Sequence, residues 1–302
     1  MFSTVMTEIL DRFAIDALYH GNVDRTDAEV AKSIVMKLVD ESGGGGLPRK
    51  KYPTELVTKI PPSLTQGSVI LPSKDRTEPN TAVEIYFQVG KDNLKERVII
   101  DLLAHMMYEP LYDQIRTKDQ FGYEVSRDSR WTHGVMGIHF RVISSIKSAA
   151  ETVERINKFL TDYRKELSEM KDDDFMEHLV GLAKNKLDMH NSLSEESDSL
   201  WAEIRDGRYE WQHPRNEAVC LRSITKEQVL ASYDEWLLPT STNGNPRQRR
   251  MFAVHIIGTG EGSASFGRPE IDDSALGNHI DETIQSFHRS IGYATWGKIT
   301  FC

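Results

Sequence analysis

Residues 81–90, TAVEIYFQVG, alternate strictly. Val83, Ile85, Phe87 and Val89 fall on one side of an extended segment, and Ala82, Glu84, Tyr86 and Gln88 on the other. Successive side chains of a strand point to opposite faces, so this stretch belongs in a sheet with one packed face and one wetter face. Two more strands follow, YEVSRDSRW (123–131) and GVMGIHFRVISS (134–145), joined around Thr132-His133-Gly134 as a hairpin. RMFAVHIIG (250–258) reads as a closing strand. Helical patterns occupy the space between. Ala149, Val153, Ile156, Leu160, Tyr163 and Leu167 step by three and four across 147–168. Asp172 to Asp174 open another helix with Phe175, Leu179, Leu182 and Leu187, the acids suiting its dipole. Residues 195–209 and 225–238 give two more, the last opened by a Thr225 to Gln228 capping box. Strands and helices segregated in this way predict an α+β layer: a mixed or antiparallel sheet covered by helices on one side.

The N-terminal region reads differently. Residues 13–23, FAIDALYHGNV, suggest a strand with Ile15, Ala17 and Tyr19 on one face. Thr26 and Glu29 form a T-x-x-E capping box before a helix carrying Val30, Ile34 and Leu38. That helix runs into ESGGGGLPRK, whose four glycines predict a flexible linker or a strong breaker. A domain boundary is expected at this tract, with 46–75 as linker and an α+β domain over 76–302. The tail reads as a surface loop to about residue 277, followed by the short amphipathic piece DETIQSFHRSI.

The formal net charge of -9 argues against general nucleic-acid binding. The one dense basic run, PRQRR (246–250), reads as a solvated loop. Two cysteines, Cys220 and Cys302, make neither a disulfide framework nor a zinc cluster, and a reducing, cytoplasmic setting is expected. No apolar run is long enough to span a membrane, and MFSTVMTEIL lacks the features of a signal peptide.

A reaction centre is harder to find. No two of the ten histidines have the spacing of H-E-x-x-H or H-x-x-E-H. His105 with Glu109, and DFMEH ending at His178, read as ordinary helix surface or core. There is no G-x-S-x-G, no phosphate loop in the glycine tract, and GTGEG (258–262) opens no helix. What stands out is IRTKDQFGYEV, 115–125. It follows a helix over 95–109 that Pro110 breaks or kinks, and a second short helical turn, PLYDQIRTKDQ. Gly122 suits a left-handed C-terminal cap. Arg116 is explained either as a cation favoured by the helix dipole or as a donor into a cleft, and Tyr123 either as a packed ring or as a second donor. A guanidinium and a phenol together suit a carbonyl oxygen that gains negative charge.

This stretch resembles the Leu-Arg-Thr-Lys-Glu-Gln-Leu-Gly-Tyr motif of the insulysin (insulin-degrading enzyme) family, inverzincin zinc metallopeptidases related to pitrilysin. Only Ile115, Asp119 and Phe121 depart from it, conservatively. IDALYHGNV, NTAVEIYFQV, EPLYDQIRTK, ITKEQVLASYDEWL and VHIIG have family counterparts in the same order. The resemblance implies a domain of the LuxS and processing-peptidase type, the last of four around a closed chamber, with residues 1–45 as the end of the preceding α+β domain and 76–302 as the C-terminal one. It implies that zinc, the H-x-x-E-H helix and the general-base glutamate belong to a missing N-terminal half, and that this chain holds no metal and is inactive alone. It implies that Arg116 and Tyr123 hold the peptide backbone and the developing oxyanion, with Gly122 as the supporting turn. Peptide substrates and the N-terminal half are the implied partners, with a homodimer possible and neither nucleic acid nor membrane expected. A zinc-less scaffold subunit of the same fold is the alternative.

Overall fold

The computed structural model describes residues 12–13, 15–41, 45–46, 56–61, 67–239 and 249–260. The chain divides into two compact units. One comprises residues 1–55, 189–211 and 300–302, the other residues 56–188 and 212–299. The expected tail loop beyond residue 260, DETIQSFHRSI and Cys302 lie outside the described residues.

In the first unit, the expected strand over 13–23 is reduced to β1, Arg12–Phe13, which pairs in parallel with β2, Gly45–Gly46. Half of the glycine tract is therefore extended and hydrogen-bonded. Between them lies α1, Arg25–Glu41. It starts before Thr26, because Asp24 accepts from the Asp27 amide at 2.9 Å and Asp27 accepts from the Asp24 amide at 3.1 Å. Glu29, freed from a capping role, pairs with Arg25. Val30, Ile34 and Leu38 are exposed, and Val39 is buried.

The second unit holds a five-stranded mixed sheet. In chain order its elements are β3 (Gly67–Pro72), β4 (Thr81–Lys91), α2 (Leu94–Met106), α3 (Tyr108–Leu111), a π-helix (Tyr112–Lys118), β5 (Glu124–Thr132), β6 (Val135–Ser144), α4 (Ala149–Glu169) and α5 (Asp172–Leu187). α6 (Leu193–Arg205) belongs to the first unit. α7 (His213–Leu221), α8 (Lys226–Trp236) and β7 (Met251–Ile257) complete the second. The strand order is β3-β7-β4-β6-β5, with β3 parallel to β7 and the other pairs antiparallel. β3 falls in the stretch read as linker and is instead an edge strand.

The alternation of β4 has its expected consequence. Val83, Ile85, Phe87 and Val89 are buried in one core with Leu102, Leu103, Met106, Ile156, Leu160 and Tyr233 from the helices. On the opposite face Glu84 instead bonds Arg130 at 2.7 Å and Arg141 at 3.1 Å. The β5–β6 hairpin closes through His133 and Gly134, both at positive φ (45° and 75°), as a two-residue turn with the twist of its strands requires. α4 is capped by a Ser148–Glu151 box and α8 by the expected Thr225–Gln228 box.

One charged network is buried in the helix layer. Arg97 binds Asp92 at 2.6 Å and Glu217 at 2.9 Å, and Lys186 binds Glu217 and Asp101 at 2.6 Å each. Residues 246–248 of the run PRQRR lie outside the described residues, and Arg249 is buried rather than solvated. Its guanidinium donates to the Leu237 carbonyl at 2.6 Å and to Asn157 Oδ1 at 2.9 Å, and burial pushes its pKa down to about 10. No helix among the described residues is long and apolar enough to cross a membrane.

Candidate functional site

The approach to IRTKDQFGYEV is shaped by Pro110. Proline has no amide hydrogen, so the Met106 carbonyl one turn back loses its helical partner. The buried Tyr163 hydroxyl supplies one at 3.2 Å. The helix then restarts over Tyr108–Leu111 and widens into the π-helix, where the Asp119 amide reaches back five residues to the Gln114 carbonyl at 3.0 Å. Single π turns within helices concentrate at functional positions. This one is anchored by Leu111 and Ile115, both fully buried, and by Phe121. The wide turn leaves Arg116 half-buried at the surface.

The exit from the turn corrects the role expected of Gly122. The left-handed residue is Gln120, at φ 51°. Gly122 is needed for close approach instead: a Cβ there would collide with the Ile143 carbonyl and lie 3.1 Å from Val142 Cγ1. Because the backbone comes so near β6, the Tyr123 amide bonds the Ile143 carbonyl at 3.0 Å. Arg116 Nε donates to the Tyr123 carbonyl at 3.2 Å. The two residues thus share one corner, tied through backbone rather than through their functional ends. The Tyr123 ring is 58% exposed, and its hydroxyl has no partner among the described residues. Asp119 is fixed by Arg155 at 2.5 Å, and Lys118 by Asp113 at 2.7 Å.

The remaining Arg116 nitrogens and the Tyr123 hydroxyl form a pair of donors facing solvent, able to hold a peptide carbonyl or an oxyanion. Neither residue lines the cavity between α5 and α7 or the one between β3, β7 and α4.

Other side-chain pairs of the second unit were not revealed by spacing alone. Tyr108 and Tyr112 are exposed, and the Arg127 guanidinium stacks 4.4 Å from the Tyr108 ring. Burial lowers the Arg127 pKa, and its Nε is buried without an acceptor. His105 meets His178 edge to face, with ring centroids 5.5 Å apart. Burial and then His178 lower the His105 pKa. These pairs join residues far apart in the chain, so no local motif signals them. Among the described residues no three or more His, Cys, Asp or Glu cluster in a way that could hold a metal ion, so no ligand set for zinc can be assigned there.

Comparison with known proteins places this corner in a family context. The model for "PQQ synthase PqqF-like, C-terminal lobe domain 4" matches residues 102–201, which include Arg116 and Tyr123. Human insulin-degrading enzyme is 28% identical over 251 residues, covering 83% of this chain and 24% of that protein. A nardilysin-like protein of Arabidopsis thaliana is 30% identical over 262 residues, covering 85% of this chain and 24% of the relative. The crystal structure of pitrilysin shares the fold with a TM-score of 0.66 at 19% identity, over 85% of this chain and 26% of that one. The likeness seen in the motif therefore extends along most of the chain, and the chain spans about a quarter of the length of the relatives it matches.

Proposed function

We propose that this chain is the C-terminal, non-zinc-binding part of an insulysin-like zinc metalloendopeptidase, and that it holds the peptide backbone and stabilises the oxyanion inside a closed chamber. The observation that carries the proposal is the shared corner of Arg116 and Tyr123, where both side chains keep donors directed outward from a rigid backbone. Arg116 gives its Nε to the protein and keeps its terminal N–H groups for substrate. Tyr123, with its backbone fixed on β6, presents a phenol whose proton is free to bond a carbonyl oxygen as that oxygen becomes negative. Zinc, when bound by the missing part, would polarise the same carbonyl and activate water. Placing the donors on a different part of the polypeptide makes turnover depend on the two parts closing together. Peptides and the N-terminal half of the same polypeptide are the partners, and the setting is cytoplasmic, in keeping with the free thiol of Cys220.

The test mixes this chain with a separately produced zinc-bearing half and follows peptide cleavage. The chain alone is expected to bind no stoichiometric zinc and to cleave nothing, and the mixture to be active. Arg116→Ala or Tyr123→Phe should lower kcat of the mixture by about 10²–10³ while leaving the melting temperature nearly unchanged. Tight zinc in the chain alone, or a loss of turnover matched by an equal loss of stability, would overturn the assignment. A complex that assembles without cleaving would instead point to a scaffold subunit.

A further inference from the structure

We propose that His105 and His178 form an acid-sensitive clasp between α2 and α5, in which a neutral His105 ring rests on α5 and a protonated one swings away toward Glu109. The proposal stands apart from the peptidase reading. The two rings meet edge to face, one from each helix, with centroids 5.5 Å apart. Gly181 lies one turn after His178 and gives the His105 ring its seat. A Cβ at Gly181 would stand 3.6 Å from the His105 Nε2 and 4.0 Å from its Cε1, so the ring lies directly over the bare backbone. Both histidines are half-buried, which lets a proton reach them without unfolding.

The charges around His105 decide where a protonated ring can stay. From α5, His178 sets a second imidazole against it, and two protons cannot share that contact cheaply. From β5 comes the Arg127 guanidinium, stacked on Tyr108, with Asp128 only at 3.7 Å. On α2 itself Asp101, one turn back, is already held by Lys186 at 2.6 Å. Glu109, one turn on, is exposed and has no ion-pair partner among the described residues. In the seat, burial, His178 and Arg127 all oppose the charge, and Glu109 alone favours it. A ring rotated outward sheds the first three and keeps the fourth. Protonation therefore selects between two positions of one side chain, and only the neutral one fastens α2 to α5. The sign follows: the clasp is closed above pH 6.5 and opens as pH falls through the lowered His105 value.

The experiment follows the His105 ring and the Gly181 amide by NMR between pH 7.5 and 5 in the 302-residue chain. His105 is expected to titrate below 6.5, and the Gly181 amide to shift with the same midpoint as the ring leaves it. His178→Gln, which removes the like charge, should raise that midpoint, and Glu109→Gln should lower it. His105→Phe keeps a ring in the seat but has no proton to gain, so the Gly181 amide should stay still across the range. Glu109→Gln, a surface change, serves if His105→Phe fails to fold. A His105 midpoint at or above 6.5 would overturn the proposal. So would a Gly181 amide that does not move while His105 titrates, meaning a ring that takes the proton in place, or a midpoint indifferent to Glu109→Gln.

Discussion

At the scale of single residues, Gly122 separates packing from chemistry. A methyl group at this position would push the backbone off the Ile143 carbonyl and break the hydrogen bond that the Tyr123 amide donates to it. Gly122→Ala should therefore cost about 1–3 kcal/mol in a denaturant titration, the usual price of overpacking. It should lower turnover of the reassembled enzyme as well, whereas Tyr123→Phe should lower turnover alone. Arg116 and Tyr123 were legible as candidates because they lie in one contiguous stretch. The special backbone of Gln120 was not, since nothing local distinguishes it from the glycine two residues on. Three histidines give a second expectation. Burial lowers the pKa of His105, His139 and His255 from the ordinary 6.5. The folded chain then keeps these rings neutral while the unfolded chain takes up protons, so stability present above pH 6.5 is lost as pH falls toward the folded values. The urea midpoint should drop between pH 7.5 and 5.5 by more than carboxylate titration explains, and His255→Leu should flatten that slope.

Elements show why some of the fold could be read and some could not. β4, the β5–β6 hairpin and α4 carry their signal locally, as strict alternation, a His-Gly turn and an apolar stripe with caps. α7 escaped because its buried face is Glu217, Ala218 and Leu221, and a glutamate breaks the apolar period. Only Arg97 and Lys186, brought from α2 and α5, make that glutamate tolerable inside. β3 escaped because it is a short edge strand defined by a partner nearly at the other end of the described chain. Residues 13–23 misled in the opposite direction: they alternate, but the sheet they would need is not among the described elements of their unit. The π-helix depends on both kinds of information. Pro110 is visible in sequence, yet the Tyr163 hydroxyl that donates to the released Met106 carbonyl is 57 residues from Met106. Tyr163→Phe leaves the Met106 carbonyl buried and unmatched, which should cost about 1–3 kcal/mol by thermal unfolding. If Pro110→Ala restores an amide to that carbonyl, the double variant should recover most of the loss, a coupling that independent sites would not show.

For the molecule as a whole, the exposed stripe of α1 bears on whether the chain is self-sufficient. Val30, Ile34 and Leu38 are 55%, 56% and 60% exposed, on a helix whose only fully buried side chain is Val39. A helix of 17 residues gains most of its stability from packing an apolar face, and here the strongest apolar stripe faces solvent. The second unit, by contrast, closes its own core around a five-stranded sheet. The two units should therefore differ in local opening energy. Amide hydrogen exchange on the isolated chain is expected to be slow in β4, β6 and β7 and fast throughout α1. Adding the zinc-bearing half, if it supplies the surface that covers Val30, Ile34 and Leu38, should slow exchange in α1 without changing β4, since burial of those three side chains shifts only the equilibrium that opens the helix. Val30→Asp or Ile34→Asp should then leave the isolated chain as stable as before, because the positions are already wet, yet weaken reassembly. Should α1 already exchange as slowly as β4 in the isolated chain, its stripe is covered by the chain itself or by a second copy, and the proposed zinc-bearing half is not what completes it.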